Sequence, residues 1–522
     1  MTDTNYLRFL IVGFDGLLPS TVDEDMPALS AFVKAHHSWK NYLAAFPTET
    51  YVNHPSIFSG CRPNGHGIIA NTFYNPRGTT AALRGFQGWS VDSVMGQEKL
   101  ENGLYCVPSL GERLEANGRT LRILCGNSAG STRLQHIRAG SFTGHLDCCV
   151  HDIAHVIPDS ERKALEAAVG QGAPMSVPDF EGNRLIADLF LEREVKRGLG
   201  DVTVLWFGEP DFSQHDFGIH SPEAKAARAD ADKHFKRVLD WWEAEGRDQG
   251  VQLVVMSDHG HVEVARHVDV RGALAEAGWH VLTLGEVVKG ADVAKADMVM
   301  AGSYAAGLWL TRPSADMLGR VRDCLMSLPD IGLVFSQPDE RRPCAVEGRV
   351  PGTLSERLVS SDHRRGPHLR FVTRGNAATN AIAMMNELEI GAGNHGGLMP
   401  GEVHALLAVG GTAFPGGAQH EAPASHDDLA MTIMTMTGLL DDEAEAPLPT
   451  GRLLAEAFKP EPAKAHVIAG TVELDCAGFV QRLDTLSWKG RAYVACGGRV
   501  NNDGWTLPEP TGCVCAGEGG SV

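Results

Sequence analysis

No stretch of this chain stays apolar for the roughly 20 residues that a membrane-spanning helix needs. The opening MTDTNYLRFLIVGFDGL has no basic n-region, and its apolar run from Phe9 to Phe14 is too short for a secretory leader. Blocks of basic residues interleaved with aromatics are missing as well: 46 Lys and Arg stand against 65 Asp and Glu, a net charge of -19, which argues against a nucleic-acid duplex as main partner. The eleven cysteines form no legible disulfide framework, with only Cys148 next to Cys149 and a Cys513-x-Cys515 pair near the end. These absences lead to the expectation of a cytoplasmic protein with no membrane partner. Repeats and low-complexity tracts are absent too. Hydrophobic residues at 43% and charged residues at 21% are ordinary globular values, which exclude a disordered or fibrous chain.

What is present is size and alternation. At 522 residues the chain outgrows a single hydrophobic core, so a large domain with an inserted or appended unit is expected. Residues 8–14 (RFLIVGF) form a continuous apolar run ending at an acid, the pattern of a strand buried on both faces of a parallel sheet. Residues 121–126, 202–207, 251–256 and 404–411 have the same character. Helical patterns lie between them at 183–197, at 222–245 behind Pro222, and at 426–437 behind a Ser425 cap. The alternation predicts an α/β fold, a doubly wound and mainly parallel sheet flanked by helices. From 290 to 390 the texture shifts to short β-like runs with one amphipathic helix near 315–327, which reads as an α+β cap. The expected organisation is a core in two parts, 1–289 and 391–459, around the cap at 290–390, with a small β appendage over 460–522.

In open α/β sheets, ligands bind beyond the carboxyl ends of the strands. There the residues are of one kind: Asp15 after the first strand, Asp211 and His215 after VTVLWF, and Asp258 and His259 after VQLVVMS. His395 sits in GAGNHGG, where glycines let backbone approach an ion. Singly, each has a plainer reading as a turn former, a helix cap or a satisfied core residue. Together, three Asp and three His with no thiolate suit two borderline divalent ions, Zn²⁺ or Mn²⁺, rather than a structural Cys site or an oxygen cage for Ca²⁺. Such ions let an acidic protein bind phosphate, because they dominate the local field. In FPTETYVNHPSIFSG, residues 46–60, Thr50 lies just before a short helix, where a metal ion and the helix N-terminus would favour its alkoxide. The plainer reading is that Thr48 or Thr50 caps that helix.

The wording and order of GFDG, FPTETYVNHPSIFSGCRPNGHGIIANTFYNP, EPDFSQH, SDHGH and GNHGG resemble the nucleotide pyrophosphatase/phosphodiesterase branch of the alkaline phosphatase superfamily. The resemblance covers residues 9–411 and the helix SHDDLAMTIMTMTGLL, and it leaves the cap and the region after 460 unmatched. It implies that Asp211, His215 and His395 hold one zinc, while Asp15, Asp258 and His259 hold the other beside the Thr50 oxygen. It further implies that Asn71 contacts a non-bridging phosphoryl oxygen. The implied reaction is hydrolysis of a small phosphodiester or pyrophosphate through a phosphothreonine at Thr50. Phosphonoacetate hydrolase-like or phosphomonoesterase chemistry is the alternative on the same core, with a mutase or a silent binding protein further off. Two positions depart from the family pattern, His261 and Pro55, and the second weakens the case for stacking a nucleotide base. The resemblance leaves His54, His66 and His261 outside the ligand sets. A sulfatase reading of Cys61 fails on position, since it lies at the end of the Thr50 helix.

Overall fold

The computed structural model describes residues 7–385, 388–440, 449–458 and 466–500. The Cys513-x-Cys515 pair and the prolines at 460 and 462 lie outside them. The centre is an eight-stranded sheet in the order Gln419–His420, His37–Trp39, Leu407–Gly410, Val251–Ser257, Arg8–Phe14, Val202–Phe207, Leu121–Cys125 and Leu146–Cys149. From Val251–Ser257 to Leu146–Cys149 every pairing is parallel. Strand periodicity explains why these segments are apolar throughout. Leu10, Val12 and Phe14 face one hydrophobic layer and Phe9 and Ile11 the other, so neither face can be polar.

The run at 404–411 behaves differently from its expected parallel kin. His404–Ala405 pairs with Tyr42–Leu43 outside the main sheet, and Leu407–Gly410 runs antiparallel to Val251–Ser257. Its direction follows from its point of entry: Leu407 pairs with Met256 at the carboxyl end of the sheet, where the chain arrives from the segment carrying His395.

Helices flank the sheet where the apolar periodicity placed them. Phe180–Leu189 continues through a π-turn to Arg197, and Pro222–Trp241 starts behind Ser221, whose hydroxyl accepts the Ala224 N–H at 3.1 Å. His426–Met436 starts behind Ser425, whose backbone N–H donates to Asp428 Oδ2 at 2.9 Å. Among the described residues no helix is long and apolar enough to cross a membrane.

A second, six-stranded sheet runs Val281–Thr283, Met298–Ala301, Ala305–Leu310, Leu369–Thr373, Ile331–Ser336, Leu354–Ser355, so it recruits a strand upstream of residue 290. The helix Ala315–Ser327 packs on it through Val321 and Leu325. The last described residues form a meander, Ile468–Cys476, Phe479–Trp488 and Arg491–Val500. This meander ties the second sheet to the core. Gln481 Oε1 accepts the Val334 N–H at 2.7 Å, while the Tyr493 hydroxyl donates to Asp428 Oδ2 at 2.9 Å and Arg491 pairs with Asp427.

Candidate metal centre

The carboxyl ends of three adjacent strands deliver the first residues of the site. Asp15 follows Arg8–Phe14, and Asp258 and His259 follow Val251–Ser257. Asp211 opens the helix Asp211–Phe217 behind Val202–Phe207, and His215, one turn on, shares its face. His395 arrives separately, on the segment after Gly393–Asn394. That short strand pairs antiparallel with Val262 and Glu263 and so sets His395 beside His261.

Two glycines of GFDG now have reasons. Gly13 lies in register with Trp206, and a Cβ there would fall 2.1 Å from the indole, so only glycine admits this ring. The indole Nε1 in turn donates to Asp15 Oδ2 at 2.9 Å, joined by Asn127 Nδ2 at 2.6 Å. Both donors hold Oδ2, which leaves Oδ1 facing Thr50 at 3.3 Å. Gly16 has φ +63°, and its N–H donates to Asp258 Oδ1 at 3.1 Å. Asn127 and Trp206 escaped the sequence reading: Trp206 lies inside the apolar strand Val202–Phe207, and Asn127 lies just beyond Leu121–Cys125, a strand end where no acid or histidine drew notice.

Thr50 is the first residue of the helix Thr50–Ser59, behind Glu49 as N-cap. Neither threonine caps with its side chain: Thr48 Oγ1 donates to Gly397 O at 3.0 Å, and Thr50 Oγ1 stands 3.0 Å from His259 Nε2. His259 Nε2 is also 3.2 Å from Asp258 Oδ2 and 3.7 Å from Asp15 Oδ1, so these atoms converge on one point. Around Asp211 Oδ1 gather His215 Nε2 at 3.4 Å, His395 Nε2 at 3.5 Å and His261 Nε2 at 2.8 Å. Three of the remaining ring nitrogens are held by backbone carbonyls: His215 Nδ1 by Gly393 at 2.8 Å, His395 Nδ1 by Thr48 at 2.7 Å, His259 Nδ1 by Gly260 at 3.0 Å. A carbonyl fixes the proton on Nδ1 and leaves Nε2 as the lone-pair donor, which is how ligating histidines are oriented.

The structure also brings in histidines that the resemblance had left out. His54 Nε2 lies 4.0 Å from Asp15 Oδ2 and 3.8 Å from Asp258 Oδ2. His261 bonds Asp211, and His259 faces both groups, its ring stacked on that of His395 at 3.7 Å. His66 lies apart, bonded to Ser56 and to the Ile68 N–H. Asn71 abuts the Thr50 helix: its Oδ1 accepts the Tyr51 N–H at 2.9 Å, its own N–H donates to Glu49, and its amide nitrogen is left as donor.

The electrostatics call for cations. Burial, then repulsion from Asp258 and Asp211, pushes the Asp15 carboxyl well above the usual range, and burial does the same to Asp258. Burial opposes ionisation of Asp211 too, but attraction from His215 and the hydrogen bond from His261 hold its carboxyl below the usual range. Burial drops His54 and His259 to about 3, His261 to about 4, and His395 well below its ordinary value. His54, His259, His261 and His395 are therefore neutral, the form that ligates metal. Asp258 Oδ2 and His54 Nε2 are buried without a hydrogen-bond partner among the described residues. Three buried carboxylates with neutral histidines and orphaned acceptors are unfavourable unless positive charge joins them. The residues thus suit divalent ions, and their ligand atoms cluster in two adjoining sets, Asp211 with His259, His261 and His395, and Asp15 with His54 and Asp258, so that His259 stands with the first set and His215 outside both.

Fold and site define a class: an alkaline phosphatase-like α/β protein whose carboxyl-end loops gather carboxylates and imidazoles into a buried metal-type centre. A family model for Type I phosphodiesterase / nucleotide pyrophosphatase matches residues 9–306, and the chain belongs to that family. It is 26% identical over 255 residues to ectonucleotide pyrophosphatase/phosphodiesterase family member 1 of Mus musculus, a stretch covering 49% of this chain and 24% of that protein. Over 75 residues it is 35% identical to bis(5'-adenosyl)-triphosphatase enpp4 of Mus musculus, 14% of this chain and 16% of that one. The chain thus spans under a quarter of the length of the first of these relatives. Murine ectonucleotide pyrophosphatase / phosphodiesterase 5 shares the fold at TM-score 0.55 and 17% identity, over 84% of this chain and 97% of that one. An inactive form of it in complex with AMP matches equally.

Proposed function

We propose that this chain hydrolyses phosphodiester or pyrophosphate bonds of small, nucleotide-type substrates, with Thr50 as nucleophile and two divalent ions, zinc or manganese, at the buried centre. The observation that carries this reading is the position of Thr50 Oγ1, 3.3 Å from Asp15 Oδ1 and 3.0 Å from His259 Nε2 at the first turn of a helix. Asp15, Asp258, His259 and Thr50 would hold one ion, and Asp211, His215 and His395 the other. Bound there, the ions neutralise charge on the attacking and leaving oxygens of an in-line displacement.

The chain's own groups do the rest. Asn127 and Trp206 turn Asp15 so that Oδ1 faces the nucleophile, and the packed strands behind exclude water. Thr50 Oγ1 gives its proton to solvent and attacks phosphorus while the bond to the leaving alcohol or phosphate breaks on the opposite side; water then attacks from that vacated side, the P–Oγ1 bond breaks and Oγ1 regains a proton, so two inversions leave phosphorus with net retention. The Asn71 amide nitrogen and the Thr50 backbone N–H donate to the equatorial oxygens, where negative charge is greatest.

Asn71 also favours a diester, because it brings no charge to meet the second negative charge of a monoester. Two cap arginines that could bring such a cation are paired elsewhere, Arg341 with Asp339 and Arg364 with Glu101. AMP in the murine structure and the adenosyl triphosphatase among the relatives support a nucleotide-type substrate. The deciding experiment is metal analysis of the purified chain followed by a panel of an aryl phosphodiester, the matching monoester, a dinucleotide and phosphonoacetate. The diester is expected to show the higher kcat/KM, reduced by about 10²-fold in Asn71→Ala. Preference for the monoester or phosphonoacetate over every diester would refute the substrate class.

A further inference from the structure

His261 belongs to neither ligand set carried over from the family, yet it is the imidazole nearest to Asp211. Its ring is wholly buried, and Nε2 lies 2.8 Å from Asp211 Oδ1, inside the 3.4 and 3.5 Å of His215 and His395. The three ring centroids form a nearly equilateral triangle: 4.8 Å between His215 and His261, 5.1 Å between His261 and His395, and 5.1 Å between His215 and His395. Ligands about 2.0–2.1 Å from a tetrahedral zinc stand about 3.3 Å from one another. Three imidazoles in a triangle, each with Nε2 within 3.5 Å of one carboxylate oxygen, approach the corners of such a site, and the ligand atoms of Asp211, His261 and His395 lie within 4.8 Å of one another. Two further observations point the same way. His261 Nδ1 finds no partner among the described residues, so no hydrogen bond on that side explains the ring's position. A Cβ on Gly16 would fall 2.7 Å from His261 Nε2 and 2.9 Å from Asp211 Oδ1, so the chain keeps a left-handed glycine beside these two atoms.

We propose that His261 is a fourth protein ligand to the ion held by Asp211, His215 and His395, an inference that rests on the two-metal reading above. The two sites are then chemically unequal. One offers three imidazole nitrogens and one carboxylate, a nitrogen-rich set that favours zinc over manganese. The other offers Asp15, Asp258, Thr50 and a single imidazole from His259, an oxygen-rich set that also accepts manganese. A fourth protein ligand fills the tetrahedron, so this ion is retained tightly and gains an extra oxygen only by expanding to five-coordination.

The test is anomalous diffraction from crystals of the full chain loaded with zinc, together with zinc retention against a chelator in the parent, His261→Ala and His261→Gln. The expected result is an ion within about 2.0–2.3 Å of both His261 Nε2 and Asp211 Oδ1. Both variants should lose that zinc at least about tenfold more readily while keeping the ion beside Asp15, as expected when a group that supports a metal is removed. The crystal readout stands even where a variant fails to fold. An ion bound by Asp211, His215 and His395, with His261 Nε2 beyond about 3 Å and merely donating to Asp211, would overturn the proposal and leave the two-metal reading intact. Zinc at neither site would overturn both.

Discussion

Replacing Asn127 by Ala removes one of the two donors that hold Asp15 Oδ2, the shorter one at 2.6 Å, and leaves the Trp206 indole at 2.9 Å. A hydrogen bond to a charged group contributes about 1.5–3 kcal/mol. The loss of an outer partner of a metal ligand lowers metal affinity by about 10–100-fold, which is about 1.4–2.7 kcal/mol. The two magnitudes, reached independently, agree. Both act on the same event, because a carboxylate with one donor can rotate and take Oδ1 away from the point where Thr50 and His259 converge. The variant also strips the acceptor from the Ser128 N–H, at 2.6 Å, so global stability should fall by about 1–3 kcal/mol in addition. Competition of zinc against a calibrated chelator, with occupancy of each site read by anomalous scattering, separates the two effects. Affinity should fall at the Asp15 site and hold at the Asp211 site. Unchanged affinity at both sites, or an equal loss from both, would refute the role given to Asn127. Trp206→Phe should act in the same direction, and the double variant should cost less than the sum, because the two donors share one oxygen.

Thr50→Ala should fold and keep at least one ion, since the side chain caps nothing, while turnover falls by more than about 10³-fold; turnover within about tenfold of the parent removes Thr50 from its role. His395→Ala should empty the site of Asp211 and His215 well before that of Asp15 and Asp258, and equal loss from both, measured as metal per chain, would break this partition. Burial lifts the Glu402 carboxyl from an ordinary 4.5 to about 7, although it accepts from the Gly397 and Met399 N–H groups and the Tyr304 hydroxyl. Its contribution to stability is therefore fully present below about 4.5 and is lost as pH rises through about 7, a change of about 3 kcal/mol. Urea midpoints of Glu402→Gln between pH 5 and 8 should follow a flatter profile than those of the parent, and parallel profiles would show that Glu402 does not titrate there.

Much of the architecture was written locally. A strand covered on both faces must be apolar at every position, so Arg8–Phe14, Val202–Phe207 and Val251–Ser257 announced themselves without their neighbours, and the acids at their ends marked the face where a ligand would bind. The direction of Leu407–Gly410 was not local, because apolar runs look alike whichever way they cross a sheet. Nor was the middle strand of the meander, Phe479–Trp488, because its buried positions include Gln481 and Asp484 and so break the apolar alternation that marks a strand. The same division runs through the metal centre. Residue type and strand-end position singled out Asp15, Asp211, His215, Asp258, His259 and His395, since ligand chemistry resides in the side chain. What surrounds them was decided by the tertiary structure. Asn127 and Trp206 reach Asp15 only because the strands of residues 8–14, 202–207 and 121–125 lie side by side. His261 meets Asp211 only because the segment of His395 pairs with the strand that begins at Val262. A histidine's sequence neighbours do not say whether its Nε2 ends against a carboxylate or against a hydroxyl, as with His261 and His66, because those contacts are closed by Asp211, 50 positions away, and by Ser56, 10 positions away, through the packing of separate elements.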